Sequence, residues 1–281
     1  PYTFVATAAA VVEANLTPVF ADIDPDSLCL CPKAVEAAIT RRTRALLPVH
    51  LGGQTADMDA LLEIAGKRRL AVVEDASHAH GSVYGEIGAG ALGDLGCFSF
   101  QASKNLNCGE GGVVVTDDDG LAAAVSALHN NGRVPGDSRY AHATLGGNYR
   151  MTEFQAAILL AQMERLDFQT NRRDANGRRL NARIGAIPGY RPQPRGLGET
   201  RHAYHLWCFG IDVDAFGAPR ETVLAALRAE GIPCGPGYAT LVYEHDLFAQ
   251  RRFGPYSAAA ERYVADPAHH DALCPVARRV G

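Results

Sequence analysis

Aromatic residues are sparse, with a single tryptophan, methionines number only three, and neither charge sign is in marked excess. A formal net charge of -4 gives no basic field for nucleic-acid backbones, and pairs such as Arg172-Arg173 read as solvated faces. No apolar run is long or continuous enough to span a bilayer. The seven cysteines, Cys29, Cys31, Cys97, Cys108, Cys208, Cys234 and Cys274, are odd in number and never spaced C-x-x-C. They predict reduced thiols of a cytoplasmic protein, and Cys29 with Cys31 lacks the second ligand pair that a zinc site needs. With 47% apolar and 21% charged residues, the chain has the makings of a packed core and length for two domains.

What is present is alternation. Thr3 to Ala14 reads as a helix, Pro18 to Ile23 as a strand, and Pro32 stands like a first-turn proline before a helix over Lys33 to Ile39. Arg44 to Val49 is the next strand, Asp57 to Lys67 an amphipathic helix, and Leu70 to Val73 an apolar strand that runs out near Asp75. Strand and helix in turn imply right-handed crossovers and a parallel sheet. Shorter strands follow at Ser82 to Tyr84, Cys97 to Gln101 and Val113 to Thr116. Gly120 to His129 is a helix stopped by Asn130-Asn131-Gly132, and a polar loop fills Arg133 to Asn148. Thr152 with Gln155 spells a capping box opening a long helix toward Ile184. Pro188 to Gly198 predicts a linker to a smaller α+β domain. The expected division is 1–165 and 166–281.

Two residues carry the chemistry. Lys104 lies between two probable strands among Ser, Asn, Cys and Gly, without a nearby carboxylate in sequence, so burial would lower its pKa toward the nucleophilic amine. Asp75 lies past the carboxyl end of a probable parallel strand, where open α/β sheets bind ligands. A carboxylate paired with a pyridinium nitrogen is one way a protein tunes pyridoxal phosphate, which also requires a lysine to form its Schiff base. The run Gly88-Ala89-Gly90-Ala91-Leu92-Gly93 spells G-x-G-x-x-G and raises an NAD(P)-dependent oxidoreductase as a rival, but no strand leads into it and no helix follows.

Glu74-Asp75-Ala76-Ser77-His78-Ala79-His80-Gly81, Gly93 through Phe100, Lys104-Asn105, Gly109-Glu110-Gly111-Gly112 and Gly146 through Ala157 occur in order, with Pro1 through Thr7 before them. This set resembles the DegT/DnrJ/EryC1/StrS family of sugar aminotransferases. The resemblance implies a fold type I pyridoxal-phosphate transferase, an α/β fold with a mostly parallel sheet flanked by helices and a smaller C-terminal α+β domain. Against that family the chain reads as a fragment lacking both termini.

The resemblance also implies roles. Lys104 and Asp75 are catalytic and bind the cofactor; His78 contacts its ring or phenolic oxygen, Ser99 donates to its phosphate and Phe4 stacks on its ring. Asn148 reaches the phosphate of a neighbouring subunit, which implies a homodimer with shared sites. Arg150 is a candidate for the donor carboxylate, and Tyr204, His205 and the run from Gly237-Tyr238 to Tyr243-Glu244-His245 for lining the acceptor pocket. A relative with His in the lysine position dehydrates keto-sugars, so Lys104 points to transamination from glutamate or glutamine to a nucleotide-linked keto-sugar or a keto-cyclitol. A non-catalytic or regulatory relative is the other alternative, and no metal, membrane or nucleic-acid partner is expected.

Overall fold

The computed structural model describes residues 1–134, 136 and 141–281. Part of the expected polar loop, residues 135 and 137–140, lies outside the described residues. The central sheet holds β1 (Ala45–Leu46), β2 (Ala71–Asp75), β5 (Leu95–Ser99) and β6 (Gly112–Val115) in the order β1-β2-β5-β6. β1, β2 and β5 run parallel, with Leu46 beside Val72 and Asp75 beside Cys97, while β6 returns antiparallel. β2 and β5 therefore finish at the same sheet edge, and the loop from Phe100 to Gly111 that carries Lys104 leaves from that edge.

Helix α1 (Ala6–Glu13) is shorter than the expected span, α2 is Pro32–Ala38 with its proline at the first turn, and α3 is Met58–Arg68. The Asp57 carboxylate accepts the Ala60 amide at 3.2 Å to cap α3, and Arg69 ends it in left-handed backbone at φ 55°. Met58, Leu61, Ile64 and Ala65 form its buried stripe; full burial of Leu61 or Ile64 stabilises by about 2 kcal/mol each. Helix α4 is Asp119–His129, and α5 runs from Glu153 to Ile184, about 48 Å. Thr152 and Gln155 make the expected capping box, with reciprocal bonds of 3.0 and 3.4 Å. Among the described residues no helix is long and apolar enough to cross a membrane.

Two expectations are corrected. Pro18 to Ile23 is no strand: only an isolated bridge joins Ile23 to Leu30. Its apolar content serves burial instead, because Phe20 sits edge-on to Tyr243, Phe248 and Tyr263 at ring separations of 5.6, 5.9 and 6.4 Å. Asp22 there caps a distant helix, accepting the amides of Val276 and Ala277 at 2.8 and 2.9 Å. Nor is Pro188 to Gly198 a bare linker, since β7 (Tyr190–Pro192) pairs with β9 (Phe209–Ile211). β8 (Glu199–Arg201) joins a separate antiparallel sheet with β3 (Val83–Tyr84) and β4 (Ile87–Gly88). Tyr2, Phe20, Leu61, Val72, Tyr243 and Tyr263 belong to one core cluster, so residues near both ends of the chain share an interior.

Candidate active site

The edge where β2 and β5 end gathers Asp75, His78 and Lys104. The Asp75 carboxylate accepts the Thr7 hydroxyl at 2.7 Å on one oxygen and the Ser77 amide at 3.1 Å on the other. Thr7 lies in the first turn of α1, so that helix is what aims Asp75. Lys104 is half-buried, and its amide bonds to the Gln101 carbonyl at 2.9 Å to tighten the loop. Asn105 ties the same loop to the Ala203 carbonyl at 3.0 Å, and Asn107 closes back on the Lys104 carbonyl at 3.0 Å. The Lys104 ammonium has no ion pair among the described residues; burial lowers its pKa, and the Asp75 charge pulls the other way.

His78 is buried, and its Nδ1 accepts the Gly52 amide at 3.2 Å, which leaves the proton on Nε2. His205 lies against it, ring centroids 4.3 Å apart. Burial first, then the positive charge of Lys104, pushes His78 down to about 3 and His205 down to about 4. His80, under the same two influences, lies at about 4 and packs against Phe98. Lysine and imidazoles thus share one desolvated pocket in which the imidazoles are neutral.

The loop that brings His205 is seated by an unusual backbone. Tyr204 has φ 42° and stacks on His202 at 3.8 Å, and the Leu206 amide bonds to the Gly52 carbonyl at 3.0 Å. Gly177 of α5 makes room: a Cβ there would stand 2.2 Å from the Tyr204 ring. Tyr238 comes close enough for the Asp75 charge to act on its hydroxyl, after burial, which raises it to about 12. Tyr243, expected to line the acceptor pocket, is fully buried in the core.

The other expected residues are dispersed. Ser99 is half-buried at the end of β5, its hydroxyl accepting the Gln101 amide at 3.3 Å. Phe4 is 59% exposed, one turn before Thr7. Asn148 and Arg150 are exposed and gathered on Asn130, through a backbone bridge and a 2.7 Å bond from Arg150 Nη1 to the Asn130 side chain.

The glycine motif has a structural occupant. The carboxylate of Glu74, fully buried, accepts the amides of Gly90, Leu92 and Gly93 at 2.7, 2.7 and 2.6 Å and the Nε2 proton of His50 at 2.7 Å. The Ala56 amide donates to His50 Nδ1 at 3.1 Å and so fixes that tautomer. Burial opposes the charge on Glu74, but these donors outweigh it and hold its pKa below the usual range. Amides that a dinucleotide phosphate would need are turned onto the protein's own anion. Glu74, the residue before Asp75, organises the loop against which β5 packs. Gly96 meets that loop so closely that a Cβ would fall 1.9 Å from the Gly90 carbonyl.

Residues 1–275 match the model of the DegT/DnrJ/EryC1/StrS aminotransferase family. The chain is 42% identical over 255 residues to a putative L-glutamine:3-amino-2,3-dideoxy-scyllo-inosose aminotransferase of Streptomyces kanamyceticus, covering 88% of this chain and 60% of that protein. It is 39% identical over 284 residues to an L-glutamine:2-deoxy-scyllo-inosose aminotransferase of Streptomyces fradiae, covering 97% and 65%. The crystal structure of 3-amino-5-hydroxybenzoic acid synthase superposes with a TM-score of 0.85 at 30% identity, covering 99% of this chain and 70% of that one. The chain thus spans less than two thirds of the length of these two curated relatives.

Proposed function

Because the chain belongs to the DegT/DnrJ/EryC1/StrS aminotransferase family and has the fold type I architecture of its structural neighbours, we propose that the protein is a pyridoxal-phosphate aminotransferase. In this reading it moves an amino group from glutamine, or glutamate, to a keto-cyclitol or a nucleotide-linked keto-sugar. The activities for which the two relatives are named support glutamine and a keto-cyclitol. The observation that carries the reading is the half-buried Lys104 amine, free of any ion pair among the described residues, within reach of the Asp75 charge.

These residues fit the cofactor: one amine held by a tight loop, one carboxylate at a strand end, and a neutral imidazole with a fixed proton. When bound, the cofactor supplies an electron-accepting ring. Asp75, oriented by Thr7 and Ser77, holds the proton on the ring nitrogen that makes it one. Lys104 would be the covalent attachment point and would move the donor's Cα proton, a duty that its lowered pKa favours. His78 Nε2–H donates to a ring oxygen, Ser99 to the phosphate, and Phe4 covers the ring. Tyr204 and His205 border the acceptor, and desolvation there excludes water from the proton transfer.

Asn148 is assigned to the partner's cofactor phosphate in a cytoplasmic homodimer. Support comes from the first half of α5, which exposes Phe154 by 85%, Leu160 by 67% and Phe168 by 74%, apolar side chains that a partner surface would cover. The division into a cofactor domain, 1–165, and a connecting helix with a smaller domain, 166–281, is retained in this proposal. The test is direct: the intact gene product is expected to purify yellow, and borohydride should fix a pyridoxyl group on Lys104. Colourless protein that takes up no added pyridoxal phosphate would falsify the assignment.

A further inference from the structure

Helix α5 lays three residues against the loops that carry the imidazoles. Thr170 touches Gly81, where a Cβ would stand 2.7 Å from the threonine hydroxyl. Gly177 receives the ring of Tyr204, the neighbour of His205. Between them on the same helix face is Arg173. Its neighbour Arg172 is exposed, as a solvated pair would be, but Arg173 is half-buried and its Nη1 is shut off from solvent with no hydrogen-bond partner among the described residues. Its charge acts on both His80 and His205. Among the described residues no carboxylate answers it: the nearby Asp174 is bonded instead to Arg178 and Arg195.

A buried guanidinium N–H without an acceptor is rare, and its desolvation goes uncompensated until an oxyanion arrives. We propose that Arg173 binds a carboxylate of the amino donor, beside His205 and next to Lys104. This rests on Lys104 being the site of amino transfer. Two features favour a carboxylate. The planar fork of arginine matches two carboxylate oxygens. Arg150, the arginine that sequence favours for this duty, is exposed with its guanidinium engaged by Asn130, whereas Arg173 faces the pocket.

The test uses the intact, cofactor-loaded gene product and the variants Arg173→Gln, Arg173→Lys and Arg172→Gln. With Arg173→Gln, the KM for L-glutamine and the calorimetric Kd for succinate, an unreactive carboxylate probe, should each rise on the order of tenfold or more, the size of a lost charge-assisted bond. Arg173→Lys should recover part of that loss, and Arg172→Gln should match the native protein, as should the KM for the keto acceptor in every variant. Unchanged succinate affinity in Arg173→Gln overturns the proposal; so does a selective loss of inorganic phosphate binding, which would assign the residue to a phosphate. If Arg173→Gln does not fold, the native protein decides, because the Arg173 Nε resonance must move when succinate is added and a stationary resonance refutes the contact. Borohydride labelling of Lys104 is read on the same samples. Labelled Lys104 with Arg173-independent succinate binding sinks only the carboxylate site, whereas unlabelled Lys104 with Arg173-dependent binding sinks the aminotransferase and leaves the carboxylate site standing.

Discussion

Acidification from pH 7 to pH 5 should weaken the fold through its buried imidazoles. His78, His80 and His202 are almost completely buried, and burial, reinforced by Lys104 for the first two and by Arg195 for the third, takes them from an ordinary 6.5 to about 3, 4 and 3. The unfolded chain binds protons at these sites below pH 6.5 and the folded chain does not, so their stabilisation is complete above 6.5 and is lost as pH falls to about 4 for His80 and about 3 for His78 and His202. Linkage puts the loss at pH 5 at about 2 kcal/mol per group, about 6 kcal/mol for the three. Glu199 acts in the opposite sense: burial raises it to about 7, so the folded state gains a proton before the unfolded one does and returns about 2 kcal/mol over the same interval. His205 is partly exposed and is left out. The net loss is about 4 kcal/mol, a large share of the 5 to 15 kcal/mol of a typical domain. Urea unfolding followed by circular dichroism at pH 7, 6 and 5 measures it, and the slope near pH 5 should correspond to uptake of about two protons on unfolding. Stability that stays level across this range, or protons released on unfolding, refutes the reasoning. An internal check is Lys104→Met, which removes a positive neighbour and should raise the pKa of His78, His80 and His205 by NMR titration.

Replacing Asp75 by Asn should leave cofactor uptake in place and abolish most amino transfer, because an amide cannot hold the ring-nitrogen proton; turnover near the native rate removes Asp75 from the mechanism. Glu74→Gln should cost about 3 kcal/mol in urea unfolding, since one amide hydrogen must face either the Leu92 and Gly93 amides or the His50 proton; a loss below about 1 kcal/mol contradicts the nest. Phe168→Asp should shift the sedimentation coefficient toward the monomer and release cofactor in parallel, and an unaltered oligomer would locate the dimer surface elsewhere.

Sequence disclosed the parts of the site that short-range patterning governs. Asp75 was readable because an apolar strand stops at it, and Lys104 because glycines bracket its loop. The capping box of α5 needs only Thr152 and Gln155, three residues apart, and was equally plain. Pro18 to Ile23 failed as a strand because apolar content measures burial, and burial there comes from rings at 243 to 263 rather than from a ladder. By local pattern Arg173 reads as half of a solvated pair with Arg172. Its signal is helical: Leu166, Thr170, Arg173 and Gly177 fall on one face of α5, where a lone arginine among small and apolar positions faces inward. Nothing local announces that Tyr204 adopts φ 42° or that Gly177 accommodates its ring, because that fit is made between segments 27 residues apart.

Phe20 carries a consequence for biosynthesis. Its aromatic cover arrives with Tyr243, Phe248 and Tyr263, and Asp22 waits for the amides of Val276 and Ala277. While the ribosome is still adding those residues, the segment around Phe20 has already emerged with an unsealed interior, and closure must await the codons for Val276 and Ala277. Nascent chains stalled short of Tyr243 should therefore remain in the grip of chaperones, and those extended past Ala277 and clear of the exit tunnel should escape it.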